Sequence, residues 1–259
     1  MAGAVEGALR GRRDAGGKAL VVYVTGGLGD DWTDTVRAVA DAGADVIEIG
    51  IPFSDPVMDG PTIQAANDRA LASGATPTSI LTQVSGLDAG VPLAVMTYYN
   101  IAFRAGLERF AAALVDAGVS GCILPDLPLE ETGPWVAAAD EAGIETILLA
   151  APTASDERLS RVCARSRGFV YGVGLLGVTG VRAELAASAS IIATRLKQLT
   201  DLPVLIGVGV GTPGQAVEAS AAGDGVVVGS AVVQGMLEDA GPAGVGDLVA
   251  QFRVALDAA

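Results

Sequence analysis

Short apolar, β-branched runs alternate with longer Ala-rich stretches from one end of the chain to the other. The runs bounded by Gly, Pro or Asp predict strands over Leu20–Thr25, Val46–Ile51, Leu93–Tyr98, Gly121–Leu124, Thr146–Ala150, Phe169–Val173, Val204–Val208 and Gly225–Val228. The intervening segments carry helical spacing, among them Thr33–Ala42, Leu107–Ala117 and Pro134–Ala142. A small phrase recurs where helix hands over to strand: Asp41-Ala42-Gly43, Asp116-Ala117-Gly118, Glu141-Ala142-Gly143 and Ala221-Ala222-Gly223. Its glycine is expected to be the left-handed residue just past a helix end. Eight strand–helix units with no linker-like stretch predict an α/β chain forming one domain over residues 1–259. The expected fold is a single (β/α)8 TIM barrel with an extra N-terminal helix. An open doubly wound sheet is the alternative, and eight is the number of units that closes a barrel. Two strand-to-helix connections are long, from Pro52 to about Thr62 and from Gly174 to about Ala187. Barrel active sites are built from these C-terminal loops, so their length points to function.

Strand two reads Asp45-Val46-Ile47-Glu48-Ile49-Gly50-Ile51. Side-chain alternation puts the three isoleucines on one face, against the helices, and Val46, Glu48 and Gly50 on the other. Glu48 then points into the barrel near its C-terminal mouth, where a carboxylate is costly to bury unless it is paired or functional. In the next loop Asp55 and Asp59 stand four residues apart among three prolines. Taken singly, either is as well explained as a turn residue.

Composition narrows the chemistry. The chain of 259 residues is long enough to bury a full core, and its apolar half is almost all aliphatic, with 4% aromatic residues. A net charge of −14 argues against nucleic acid or an anionic membrane surface as partner. No run approaches the ~20 apolar residues of a membrane span, and no signal-length stretch follows Arg10, Arg12 and Arg13, so a cytoplasmic protein is expected. Cys122 and Cys163 read as reduced structural thiols. With no histidine in the chain, histidine triads and histidine-based metal sites are excluded, and no metal is expected.

A phosphate site is readable without basic residues. Gly207-Val208-Gly209-Val210-Gly211 follows strand seven, and Gly229-Ser230 follows strand eight and opens a helix. Glycines let backbone N–H groups approach an anion, and a helix N-terminus adds a favourable dipole. Tight turns without a ligand explain the same glycines.

The segment Ile47-Glu48-Ile49-Gly50-Ile51-Pro52-Phe53-Ser54-Asp55-Pro56, followed by Asp59-Gly60-Pro61-Thr62-Ile63-Gln64, resembles the signature of tryptophan synthase α subunits. The likeness continues through Tyr98-Tyr99-Asn100, Pro125-Asp126-Leu127-Pro128, Phe169-Val170-Tyr171 and Gly177-Val178-Thr179-Gly180. It implies a carbon–carbon lyase of tryptophan biosynthesis that cleaves indole-3-glycerol phosphate to indole and glyceraldehyde 3-phosphate. It implies Glu48 and Asp59 as the catalytic pair, with Tyr171 beside the reacting carbons and Thr179 in a closing loop. It places phosphate at Gly180, Gly209, Gly229 and Ser230, near Gly207, lines the indole pocket with Tyr23, Met96, Ile123 and Ile147, and counts Tyr98 among the substrate-binding residues. Pro52 and Asp55 would face a β subunit in an α2β2 heterotetramer. Pyridoxal phosphate would belong to that subunit, with no cofactor in this chain.

Three positions depart from the family pattern. The first loop, Thr25–Trp32, lacks a proline after its aspartate, Gly174 stands where a serine is usual, and Val208 replaces an aromatic found in some members.

Retro-aldol cleavage needs an electron sink. Lys18 precedes strand one, at the wrong end of the barrel for a Schiff base, and Lys197 lies in a helical stretch. Protonating indole carbon 3 makes the substrate its own sink, with Glu48 as acid and Asp59 as anion near the ring nitrogen. A phosphosugar isomerase or epimerase on the same fold, a chain that serves mainly to activate a partner, and a stand-alone lyase releasing free indole are the other readings of this sequence.

Overall fold

The computed structural model describes residues 2–174, 182–207 and 209–259, with the side chains of 182–187 set aside. All eight expected strands form: β1 (Ala19–Thr25), β2 (Val46–Gly50), β3 (Leu93–Met96), β4 (Val119–Ile123), β5 (Glu145–Ala150), β6 (Val170–Val173), β7 (Val204–Gly207) and β8 (Gly225–Val228). They pair in sequence order, all parallel, and β8 closes on β1 to make a barrel. The helices are α1 (Ala4–Asp14), α2 (Trp32–Asp41), α3 (Pro61–Ala72), α4 (Pro77–Ser85), α5 (Tyr99–Ala105) and α6 (Leu107–Asp116), then α7 (Gly133–Ala142), α8 (Asp156–Arg165), α9 (Arg182–Lys197), α10 (Pro213–Ser220), α11 (Ser230–Leu237) and α12 (Gly241–Asp257). The chain is thus the (β/α)8 barrel that the alternation predicts, and not an open sheet.

Two apolar layers result from the strict alternation of strand side chains. Leu20, Val22, Ile47, Ile49, Val204 and Ile206 face outward and pack under the helices. Ala19, Val21, Val46, Ala94, Leu205 and Val227 face inward and fill the barrel. Val5 and Leu9 of α1, both fully buried, join the inner layer from below. The extra N-terminal helix therefore plugs the N-terminal mouth. No side chain caps α1 locally. Instead Glu145, at the start of β5, accepts the backbone N–H groups of Val5 at 2.8 Å and Glu6 at 2.9 Å. A carboxylate at a helix N-terminus satisfies donors the helix cannot satisfy itself and is favoured by the dipole. On the same face Asp45 accepts from the Leu20 N–H at 2.8 Å, Arg12 at 3.1 Å and Arg253 at 3.3 Å, tying α1 and α12 to the strand ends. With that end closed, the barrel interior is approached from its C-terminal mouth.

Three boundaries differ from expectation by more than one residue. β3 stops at Met96, because Tyr98 already opens α5. β4 begins earlier, at Val119, and α9 begins at Arg182, before the expected Ala187. Gly43, Gly118 and Gly143 take the left-handed backbone expected at helix ends, and Gly223 does not. At Gly223 an added Cβ would lie 2.9 Å from the Val204 carbonyl, so a close approach of backbones fits glycine there.

Candidate active site

Glu48 sits on the inner face of β2, in register with Tyr23 on β1 and Ala94 on β3. Only 1% of it is exposed, and one carboxyl oxygen is buried with no hydrogen-bond partner among the described residues. Burial, reinforced by the nearby charge of Asp59, pushes its pKa up to about 8. A carboxyl in that state holds its proton at neutral pH and is an acid aimed into a cavity.

Asp59 reaches the same cavity from the loop between β2 and α3. Three contacts fix its position. The Gln64 amide donates to the Asp59 carbonyl at 2.7 Å, and the Asn67 amide donates to its carboxylate at 3.0 Å. The hydroxyl of Tyr98 accepts the N–H of the adjoining Met58 at 2.9 Å, while the Tyr98 ring stacks on Phe53 at 5.0 Å. Burial raises the Asp59 pKa, and the neighbouring Tyr98 hydroxyl and Asn67 amide oppose that rise by favouring the charged form. The two carboxyls thus have different surroundings: among the described residues Glu48 has lost its solvent without gaining a hydrogen-bond partner, and Asp59 has gained donors.

Both groups line a cavity of about 550 Å³ at the barrel mouth, within the range that takes a drug-sized ligand. Tyr23, Met96, Leu149, Tyr171 and Val227 form its apolar wall. Glycine makes room for both phenol rings. A Cβ on Gly50 would overlap the Tyr23 hydroxyl, and one on Gly207 would come within 2.6 Å of the Tyr171 hydroxyl. Burial raises the pKa of both tyrosines, so they stay neutral donors. Phe169 lies one layer below Tyr171, with ring centroids 5.8 Å apart. Ile123 and Ile147, named from sequence with the pocket residues, lie beneath it in the packed inner layer, at 0% and 1% exposure. Tyr98 acts on the loop rather than on the cavity wall.

The opposite side of the cavity is made of backbone. Gly207, Gly209, Gly229 and Ser230 line it, and no basic side chain does so among the described residues. Gly209 has φ +67°, a conformation that favours glycine. Gly229 precedes α11 without a side-chain cap, which leaves the first N–H groups of that helix available to an anion. Thr179 and Gly180 lie outside the described residues, as does Val208. Of the two loop residues read as facing a partner, Asp55 is exposed and Pro52 is buried. Val57 at 77% and Met58 at 51% are the large apolar residues the loop turns outward.

Neither lysine reaches the cavity. Lys18 donates to the Gly223 carbonyl at 2.8 Å, and Lys197 pairs with Asp224 at 2.9 Å, both beside the N-terminal ends of strands. Among the described residues no three His, Cys, Asp or Glu side chains converge as a metal site, and no helix is long and apolar enough to cross a membrane. Sequence reading missed Leu149, Val173, Val227 and Asn67. For Asn67 a signal existed: it shares the buried stripe of α3 with Ala66 and Ala70, an unusual place for a lone amide.

Residues 10–248 match the family model described as tryptophan synthase alpha chain. The tryptophan synthase alpha chain of Thermobifida fusca is 46% identical over 229 residues, which cover 86% of this chain and 85% of that one. That of Streptomyces coelicolor is 44% identical over 239 residues, covering 89% and 86%. Among solved structures, tryptophan synthase of Mycobacterium tuberculosis superposes with a TM-score of 0.91 at 36% identity, over 99% of both chains. Tryptophan synthase subunit alpha of Legionella pneumophila gives 0.90 at 31% identity, over 100% of both. Barrel, cavity and sequence agree, and the chain belongs to the tryptophan synthase alpha chain family.

Proposed function

We propose that this chain, one domain over residues 1–259, performs its family's lyase reaction, cleavage of indole-3-glycerol phosphate to indole and glyceraldehyde 3-phosphate, with Glu48 and Asp59 as the working pair. The observation that carries this reading is the buried Glu48 carboxyl, one oxygen of which has no hydrogen-bond partner among the described residues, facing a cavity that also holds Asp59. Protonated Glu48 gives its proton to indole carbon 3. The resulting indoleninium cation is stabilised by anionic Asp59 near the ring N–H. The carbon–carbon bond to the glycerol chain then breaks, and its electrons neutralise the cation to give indole. The hydroxyl on the departing carbon loses its proton to Glu48, which is thereby restored, and an aldehyde forms. Each acid–base role is worth about 10²–10⁴-fold.

The substrate phosphate rests on the backbone of Gly207, Gly209, Gly229 and Ser230, together with Gly180, which reconciles an anionic substrate with a net charge of −14. Tyr23, Met96 and Tyr171 flank the indole, with Tyr98 ordering the loop beside it. Thr179 belongs to the closing segment. No cofactor is required in this chain. Indole passes to a β subunit carrying pyridoxal phosphate, in an α2β2 assembly that covers the loop of Pro52 and Asp55. The assembly is cytoplasmic and engages neither nucleic acid nor membrane. Loop closure by the partner completes the site, so the isolated chain is a slow catalyst.

The test is indole release from indole-3-glycerol phosphate with and without a tryptophan synthase β subunit. Slow release that rises sharply with the β subunit supports the reading. Fast release without it means a stand-alone lyase, and no release in either condition overturns the chemistry.

A further inference from the structure

We propose that Asn67 is a positioning residue for this reaction: its amide holds the Asp59 carboxylate in the orientation, and as the anion, that cleavage needs. The inference rests on the assignment of Asp59 above.

Asn67 lies on α3, eight residues beyond Asp59, and is 3% exposed. Its Nδ2 donates to Asp59 Oδ2 at 3.0 Å, and its Oδ1 is buried without a partner among the described residues. A buried amide left half-satisfied in a helix interior is a net cost, which local stability does not explain. The arrangement is directional. The amide N–H facing Oδ2 bonds more strongly to a charged carboxylate than to a neutral carboxyl, so the contact favours the charged form of Asp59. Every other titratable neighbour acts through geometry of its own. Glu48 faces Asp59 from β2, and its ionisation would oppose that of Asp59. Tyr23 from β1 and Tyr98 from the start of α5 are neutral hydroxyls held so by burial. Arg69, the nearest cation on α3, is turned away and pairs with Asp239 at 2.7 Å. No cation among the described residues therefore holds Asp59 charged, and the task falls to the Asn67 amide with the Tyr98 hydroxyl.

The experiment follows indole release by the complete chain across pH for wild type, Asn67→Ala, Asn67→Asp and Asp59→Asn, with thermal melts to establish folding. Removing a hydrogen bond to a charged group corresponds to roughly a tenfold to hundredfold loss. In Asn67→Ala that loss is expected in kcat, with KM moved less than about threefold, and the acid limb of the pH profile is expected to rise by about one unit. Asn67→Asp is nearly isosteric and keeps the packing. It is expected to fail in the opposite sense, losing activity as pH rises, because a second carboxylate beside Asp59 repels it when ionised and can donate only when protonated. A residue that merely packs α3 would lower the melting temperature and move neither limb. Two unshifted profiles, with Asp59→Asn inactive, overturn this inference and leave the catalytic assignment standing. Cleavage by Asp59→Asn at the wild-type rate overturns both.

Discussion

Replacing Glu48 by glutamine is expected to stabilise the protein, by an amount that grows with pH. In the folded chain the carboxyl is buried beside Asp59 and its pKa stands at about 8, against an ordinary value of 4.5. Between those two values the unfolded chain has released a proton that the folded chain still holds. Stability then falls by about 1.36 kcal/mol per pH unit. The contribution of the neutral carboxyl is thus fully present below about pH 4.5 and is lost as pH rises to about 8. Integrated over that window the loss is on the order of 5 kcal/mol, and between pH 5 and pH 7.5 it is about 3 kcal/mol. Glutamine keeps the shape and has no proton to lose, so its stability lacks this slope. Urea unfolding of both proteins at half-unit steps from pH 5 to pH 8.5 measures the difference directly, since groups common to both largely cancel. The gap is expected near zero at pH 5, widening to several kcal/mol at pH 8 and flat above it. A gap independent of pH, or one that narrows as pH rises, would mean that Glu48 is ionised in the folded state, and the acid role would lose its physical basis.

Other features of the fold give independent checks. Gly50→Ala and Gly207→Ala force a methyl into the Tyr23 and Tyr171 phenols, so each is expected to cost about 1–3 kcal/mol and to reduce kcat, as thermal melts and indole release will show. Glu145→Ala removes the acceptor of two N–H groups at the start of α1, a loss of about 1–3 kcal/mol in urea unfolding; kcat should stay unchanged, because that residue lies at the closed end of the barrel. At Gly209, φ +67° makes Gly209→Ala strained by about 1–2 kcal/mol, and the displaced backbone should raise KM for the phosphorylated substrate more than it lowers kcat.

Much of this architecture is written in the periodicity of the strands. The alternation around Glu48 placed it on the inner face of β2, where it stands. The helix-end glycines and the Pro52–Gln64 loop marked the turns that deliver Asp59. Periodicity gives the face of a strand but not the depth of a residue along the barrel axis. Ile123 and Ile147 pair with each other across β4 and β5, and the stagger of the strands leaves them in a layer below the cavity. Tyr98 reads as the last residue of a strand, yet the backbone has already turned into α5, and its hydroxyl serves the neighbouring loop. Glu145 looks like a chance charge at a strand start, because its partners lie about 140 residues earlier, on a helix that no local pattern ties to it. Contacts made by tertiary docking, such as Asn67 with Asp59, become visible only once α3 is laid against the loop.

The most direct test of the account is the pH dependence of indole release from indole-3-glycerol phosphate by wild type and Glu48→Gln, each with a β subunit present. Wild-type kcat/KM is expected to fall on the alkaline side as Glu48 loses its proton, with a midpoint near 8. Glu48→Gln is expected to be about 10²–10⁴-fold slower and to lack that limb. A Glu48→Gln protein that releases indole at the wild-type rate with the same alkaline limb would contradict the assignment of Glu48 as the acid.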